Sequence, residues 1–316
     1  MLLVLSWIAC AVFFSTSYIG ASILSKYAMS LEYMMFYRLV VACAILMFAI
    51  LIRRQRLKIL KIELWPSVLV AVSQIGVWLS ACGTKYIVSG ILACVMVLQI
   101  FIAEILASIT EKRAIRCKII ISGVLGFMGV ALLCNQQFGG TGETASVKNT
   151  VIGVMLAIFA SFVSAMCNIT YEKYSKMFAK MPRLTFLFYN CLFASIMFLI
   201  LGAIVHPDEH LFNAVLLDMK YFCVMVYLAI TATILALLAM YYIIAKQGAV
   251  KTTYMNFILP ALSMLISTFA EGFRWNLTAV IGMVVLLYGV WIGVREKQEQ
   301  EERHKSWWRK ILNCIM

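Results

Sequence analysis

Tyr33–Ile52 reads YMMFYRLVVACAILMFAILI, twenty residues that carry a single charge, Arg38, and no proline or glycine. A surface helix of a soluble protein keeps one polar face. This stretch keeps none, so lipid rather than water surrounds it. Its length also matches the hydrocarbon core, which takes roughly 20 apolar residues to cross as a helix. A helix satisfies every backbone group within its own segment, which lipid requires.

The same texture recurs along the chain. Ten spans are expected at Leu2–Leu24, Tyr33–Ile52, Trp65–Cys82, Ile87–Ile109, Cys117–Cys134, Val151–Tyr171, Leu184–Val205, Tyr221–Ile244, Ala249–Ala270 and Asn276–Val294. The first is too long for a signal-peptide core and lacks a basic leader, so it is expected to be a retained helix. Composition agrees with a membrane protein. The chain is 64% hydrophobic and 13% charged, where soluble domains are about half apolar and a quarter charged.

The net charge of +13 is explained by topology rather than by nucleic acid. Placing the amino terminus inside puts Arg53, Arg54, Arg56, Lys58, Lys61, Lys112, Arg113, Arg116, Lys118, Lys173, Lys176, Lys180, Arg183, Lys246 and Lys251 in inner loops. The outer loops then hold only Lys26, Lys85, Lys148, Lys220 and Arg274. Basic residues mark the cytoplasmic side, so both termini are expected in the cytoplasm. The tail, 296–316, mixes acids and bases and ends in Trp307-Trp308-Arg309-Lys310. It reads either as an interfacial amphipathic turn or as a solvated tail. The ten cysteines show no CxxC or Cys/His spacing, which argues against zinc and a disulfide framework.

The two halves of the chain match in order. Lys26-Tyr27 pairs with Lys173-Tyr174, and Phe36-Tyr37-Arg38-Leu39 with Phe188-Tyr189-Asn190-Cys191. Further on, Glu111-Lys112-Arg113 pairs with Glu271-Gly272-Phe273-Arg274, and Gly129-Val130 with Gly289-Val290. Five spans per half is an odd number, so the second half crosses in the opposite sense. The expected organisation is a first five-helix repeat over 1–140, an inverted second repeat over 141–295, and a charged tail over 296–316. Inverted repeats characterise secondary transporters, where two halves rock about a central site.

At these residues the chain resembles the EamA-type, ten-span members of the drug/metabolite transporter superfamily. Phe14-Ser15-Thr16-Ser17-Tyr18 resembles the family's first-span pattern, and Ala165 through Tyr174 its sixth. Lys85 through Gly90 resembles the start of its fourth span, and Pro260, Gly272, Gly282 and Gly289 its closing signature. The chain departs where Ile100 replaces the first-half proline and where Glu271 precedes its glycine. The resemblance implies two five-helix halves around a central cavity, moving small metabolites across the inner membrane.

Charged side chains within a span are costly and usually face a cavity or a partner. Arg38 can bind a carboxylate or phosphate bidentately, or snorkel to the outer interface. Glu104, two turns from the inner end of its span, is a candidate for proton coupling or for pairing with Lys112 or Arg113. Glu172 reads as an interfacial partner of Lys173. Gln74, Trp78, Gln99, Asn168 and Asn256 are candidates to bind a polar substrate, or else to hydrogen-bond between helices. Gly123, Gly126 and Gly129 form a small-residue stripe that lets another helix approach. The resemblance implies that such repeat-end helices pack at the pseudo-dyad or between protomers, so a second copy is a candidate partner. Pro260 removes one helical hydrogen bond and marks a kink or gate.

No Walker loop, HExxH, GxSxG or in-span aspartate pair occurs. ATP drive and intramembrane catalysis are therefore not expected, and no cofactor is. The expected function is alternating-access transport of a small polar or amphipathic, amino-acid-like metabolite, with efflux by analogy. The alternatives are a lipid-linked-intermediate flippase and a non-transporting scaffold or receptor subunit.

Overall fold

The computed structural model describes residues 2–57, 61–110, 117–139, 147–178, 181–209, 214–247, 255–293 and 295. Its rods are α1 (Leu2–Leu24), α2 (Leu31–Ile52), α3 (Lys61–Ala71 and Ser73–Gly83), α4 (Ser89–Met96 and Gln99–Thr110) and α5 (Cys117–Gly139). There follow α6 (Val147–Phe178), α7 (Arg183–Val205), α8 (Met219–Leu228 through Ala236–Gln247), α9 (Met255–Ala270) and α10 (Leu277–Gly293). Eight are long and apolar enough to cross a membrane, and the parts of α9 and α10 from Ile258 and Leu277 are shorter apolar helices. The chain is an all-α, multi-pass membrane protein. Its outward faces carry Phe48, Phe159, Ile200, Phe269 and Val284, the surface a bilayer covers.

Local chemistry sets the helix ends. The Asp218 carboxylate accepts from the Lys220 and Tyr221 amides at 2.8 and 3.3 Å and opens α8. Asn276 Oδ1 accepts from the Ala279 amide at 2.8 Å and opens α10. Both satisfy amides that have no partner within the helix. α9 stops at Gly272, whose φ of +70° suits a residue without a Cβ.

Contacts between helix ends fix direction. Just past the end of α2, the carbonyls of Arg56 and Leu57 accept from Thr185 Oγ1 (2.9 Å) and the Tyr189 hydroxyl (2.7 Å), which open α7. At the other face the Ser30 amide, before α2, donates to Glu209 beyond α7 at 3.0 Å. α2 and α7 are therefore antiparallel. Ser89, opening α4, bonds Glu271, beyond α9, so α4 and α9 are antiparallel too. α5 and α10 are antiparallel as well, because Gly129 meets Gly282 while Ser122 meets Gly289 and Gly293. Around these pairs α1 packs on α8 and α9, and α6 packs on α3 and α4.

The glycine stripe is used within the chain, and unevenly. A Cβ on Gly129 would stand 2.6 Å from the Leu286 amide nitrogen and 2.7 Å from the Gly282 carbonyl. A Cβ on Gly126 would meet the Phe101 ring at 2.8 Å, whereas one on Gly123 would have its nearest neighbour at 3.9 Å. Only the first position is closed by rigid backbone.

Four rods are irregular near their middles. α3 breaks at Val72, and α4 breaks at Val97–Leu98 with amides bonding three residues back (Val97 to Cys94, Leu98 to Val95). α8 widens into a π-turn over Ala229–Leu235, and α9 contains Pro260. The break in α4 occurs without a proline: Ile100 stands in the matching position, yet the helix is interrupted beside it.

Candidate functional site

Arg38 enters two turns into α2 and is 4% exposed. Its Nε donates to Thr233 Oγ1 at 2.9 Å. Thr233 lies in the π-turn, midway along α8, so the guanidinium is drawn toward the middle of the bundle and not out to the headgroups. That excludes the snorkelling arrangement. Among the described residues no carboxylate pairs with Arg38. π-turns inside α-helices recur at functional sites, because the widened turn redirects side chains and frees backbone groups.

Around Arg38 the lining comes from α2, α3, α7 and α8. Cys191 of α7 is close enough to interact with its charge and also meets Cys43 of α2. Asn190, the next residue along, is fully buried, and neither amide atom has a hydrogen-bond partner. On α3, Trp78 packs against Phe198 of α7 at 6.4 Å, with its indole N–H buried and unpartnered. Near the start of α7, Tyr171, Phe186 and Tyr241 form an aromatic cluster. Tyr171 and Tyr241 stack at 4.6 Å.

The other expected residues divide. Gln74 is buried two residues past the α3 break, and Gln99 is half-buried at the restart of α4. Both sit where a broken helix leaves backbone groups to satisfy, as ligand sites in transporters do. Asn168 is half-buried on α6. Asn256 lies on α9 with its side chain outside the described residues, as is that of Glu172. Glu104 is 4% exposed on the second segment of α4. Lys112, Arg113 and the tail, 296–316, lie outside the described residues. Pro260 is buried, and the Ser15 hydroxyl of α1 approaches the Leu259 carbonyl beside it at 3.5 Å.

Thr233 was not legible in the sequence as a site residue. Its one signal was a Thr-Ala-Thr run inside an apolar span. Asn190 carried a better one, since the internal match sets it opposite Arg38.

A second feature opens sideways. A crevice of about 310 Å³ lies between α1, α8 and α9, walled by Ile19, Ile23, Val224 and Ile266. The Tyr227 hydroxyl, at its edge, donates to Thr16 at 2.9 Å.

A buried cation beside broken helices is an arrangement that secondary transporters use. Residues 151–295 match the family model described as the EamA-like transporter family. Over these residues, its second half, the chain is similar to that family. No curated protein matches it. A solved structure described as "Crystal structure of protein" is similar over 95% of this chain and 98% of its own. It has 16% identity and a TM-score of 0.63, a likeness in fold alone.

Proposed function

We propose that the chain is a secondary transporter for a small metabolite bearing an anionic group, a carboxylate in the first instance, and that it works by alternating access. Two inverted five-helix halves, 1–140 and 141–295, rock about the site. The antiparallel pairs α2/α7, α4/α9 and α5/α10 support that arrangement, as does the exchange of neighbours between α1 and α6. The observation that carries the reading is Arg38, a membrane-buried guanidinium with no counter-ion among the described residues. A buried unpaired charge is expensive, and a substrate carboxylate would neutralise it bidentately. Gln74, Gln99, Asn168 and Asn256 take the substrate's other polar groups, Trp78 encloses its apolar part, and Glu104 exchanges the coupling proton. The basic inner loops support a cytoplasmic location for both termini, and the cytoplasmic membrane and efflux are taken by analogy with the family that the chain resembles.

The test is counterflow in proteoliposomes over a panel of metabolites. Carboxylates exchange, Arg38→Met abolishes exchange while the protein remains monodisperse, and Glu104→Gln exchanges but no longer responds to a proton gradient. Absence of carboxylate exchange, or an active Arg38→Met, refutes the reading. The apolar crevice favours a second one, a flippase for a lipid-linked anion. It is distinguished by movement of a fluorescent lipid-headgroup reporter with no exchange of soluble carboxylates.

A further inference from the structure

We infer that Asn190 is the second recognition point of the Arg38 site, so that the substrate is an anion carrying a neutral hydrogen-bonding group, of amide type, on its body. The inference rests on the transport reading above. Three observations meet at this residue.

First, Asn190 is fully buried, and both Nδ2 and Oδ1 are without partners among the described residues. An amide withdrawn from water with neither end satisfied is destabilising, and buried polar groups are normally paired. An arrangement that leaves both ends open is suited to a ligand that supplies an acceptor and a donor together.

Second, Asn190 has the right address. Its neighbour Cys191 interacts with the Arg38 charge. One turn away on the same face of α7 stands Phe186, which packs on Tyr171 and Tyr241. Along α7, Asn190 thus stands between Cys191, beside Arg38, and Phe186 of the aromatic cluster. The body of a ligand held by Arg38 and reaching toward that cluster passes Asn190.

Third, the internal match makes Asn190 the counterpart of Arg38, on antiparallel helices that pack together. The two halves therefore present different chemistry from equivalent positions: a charge from α2 and a neutral donor–acceptor from α7. A site built this way distinguishes the two ends of its substrate.

Two probes of nearly equal shape separate this from a packing role. Hippurate carries a carboxylate, an amide and a phenyl ring. Phenylbutanoate keeps the carboxylate and the ring and replaces the amide with methylenes. Wild-type protein binds hippurate about tenfold more tightly, the cost of leaving a buried amide unpaired. Asn190→Leu removes that preference and leaves phenylbutanoate affinity unchanged. The same variant, without ligand, melts at or above the wild-type temperature, because an apolar side chain replaces an unpaired amide. Arg38→Met loses both probes.

Equal affinity for the two probes in wild type, or failure to bind either, overturns the inference. So does a preference that survives Asn190→Leu, or a melting temperature lowered by that substitution, which would show that the amide is structurally paired. None of these results bears on transport itself. The transport reading stands or falls on carboxylate counterflow and its dependence on Arg38.

Discussion

Replacing Gly129 with alanine should separate it from the two other glycines in its stripe. The added Cβ would lie 2.6 Å from the Leu286 nitrogen, 2.7 Å from the Gly282 oxygen and 2.8 Å from the Leu286 Cα. All three are backbone atoms of α10 and cannot rotate away. Ordinary contact begins near 3.4 Å, so α5 and α10 must part by a sizeable fraction of an ångström along the seam. Overpacking of this kind costs roughly 1–3 kcal/mol, against a gain of up to about 1 kcal/mol in helix propensity. The net loss lowers the melting temperature by several degrees, taking about 2–4 °C per kcal/mol. Gly123→Ala meets nothing closer than Phe101 at 3.9 Å, keeps the propensity gain, and leaves the melting temperature equal or raised. The assay is a thermal melt in detergent followed by size-exclusion chromatography with fluorescence detection. Gly282→Ala approaches the same seam from the other side, with its Cβ 2.9 Å from the Gly129 oxygen. The double variant should therefore cost less than the sum, because one separation relieves both clashes. Equal effects at Gly123 and Gly129, or a strictly additive double variant, would refute the reasoning.

Other outcomes follow from single contacts. Glu271 accepts from the Ser89 amide and from the hydroxyls of Ser89 and Ser267 at 3.0, 2.7 and 2.7 Å. Glu271→Ala strips the cap from α4 and its tie to α9, and should cost about 2 kcal/mol, with Glu271→Gln milder on the same melt. Thr233→Val keeps the shape of the π-turn but removes the acceptor of Arg38, and should destabilise by about 1–3 kcal/mol. Thr231→Val is the control, since that hydroxyl is exposed and bonds its own helix at the Tyr227 carbonyl, and it should be near neutral. Tyr189→Phe loses the bond to the Leu57 carbonyl and should cost about 0.5–1.5 kcal/mol.

Much of the architecture was legible because lipid imposes a coarse rule. A span must be long, apolar and helical, and loop charge must be lopsided; both are properties of segments and survive without any contact being known. Hence α1, α2 and α7 fall within a few residues of their expected limits. Arg38 and Glu104 were legible for the same reason, since a charge inside an apolar run needs no partner to be noticed. The breaks were half legible. Pro260 announces one chemically, but no residue type marks the interruptions at Val72 and Val97–Leu98 or the π-turn at Ala229–Leu235.

The sequence by itself determined the solvent and the helices, because each depends on hydrophobicity along one segment. Only the tertiary structure decided that Arg38 turns inward to Thr233, that Asn190 is left with neither amide atom satisfied, and that Gly129 but not Gly123 is pinned against backbone. Those outcomes depend on which faces of separate helices meet and at what depth. That information is spread over residues nearly two hundred positions apart, and it becomes local only when the bundle closes.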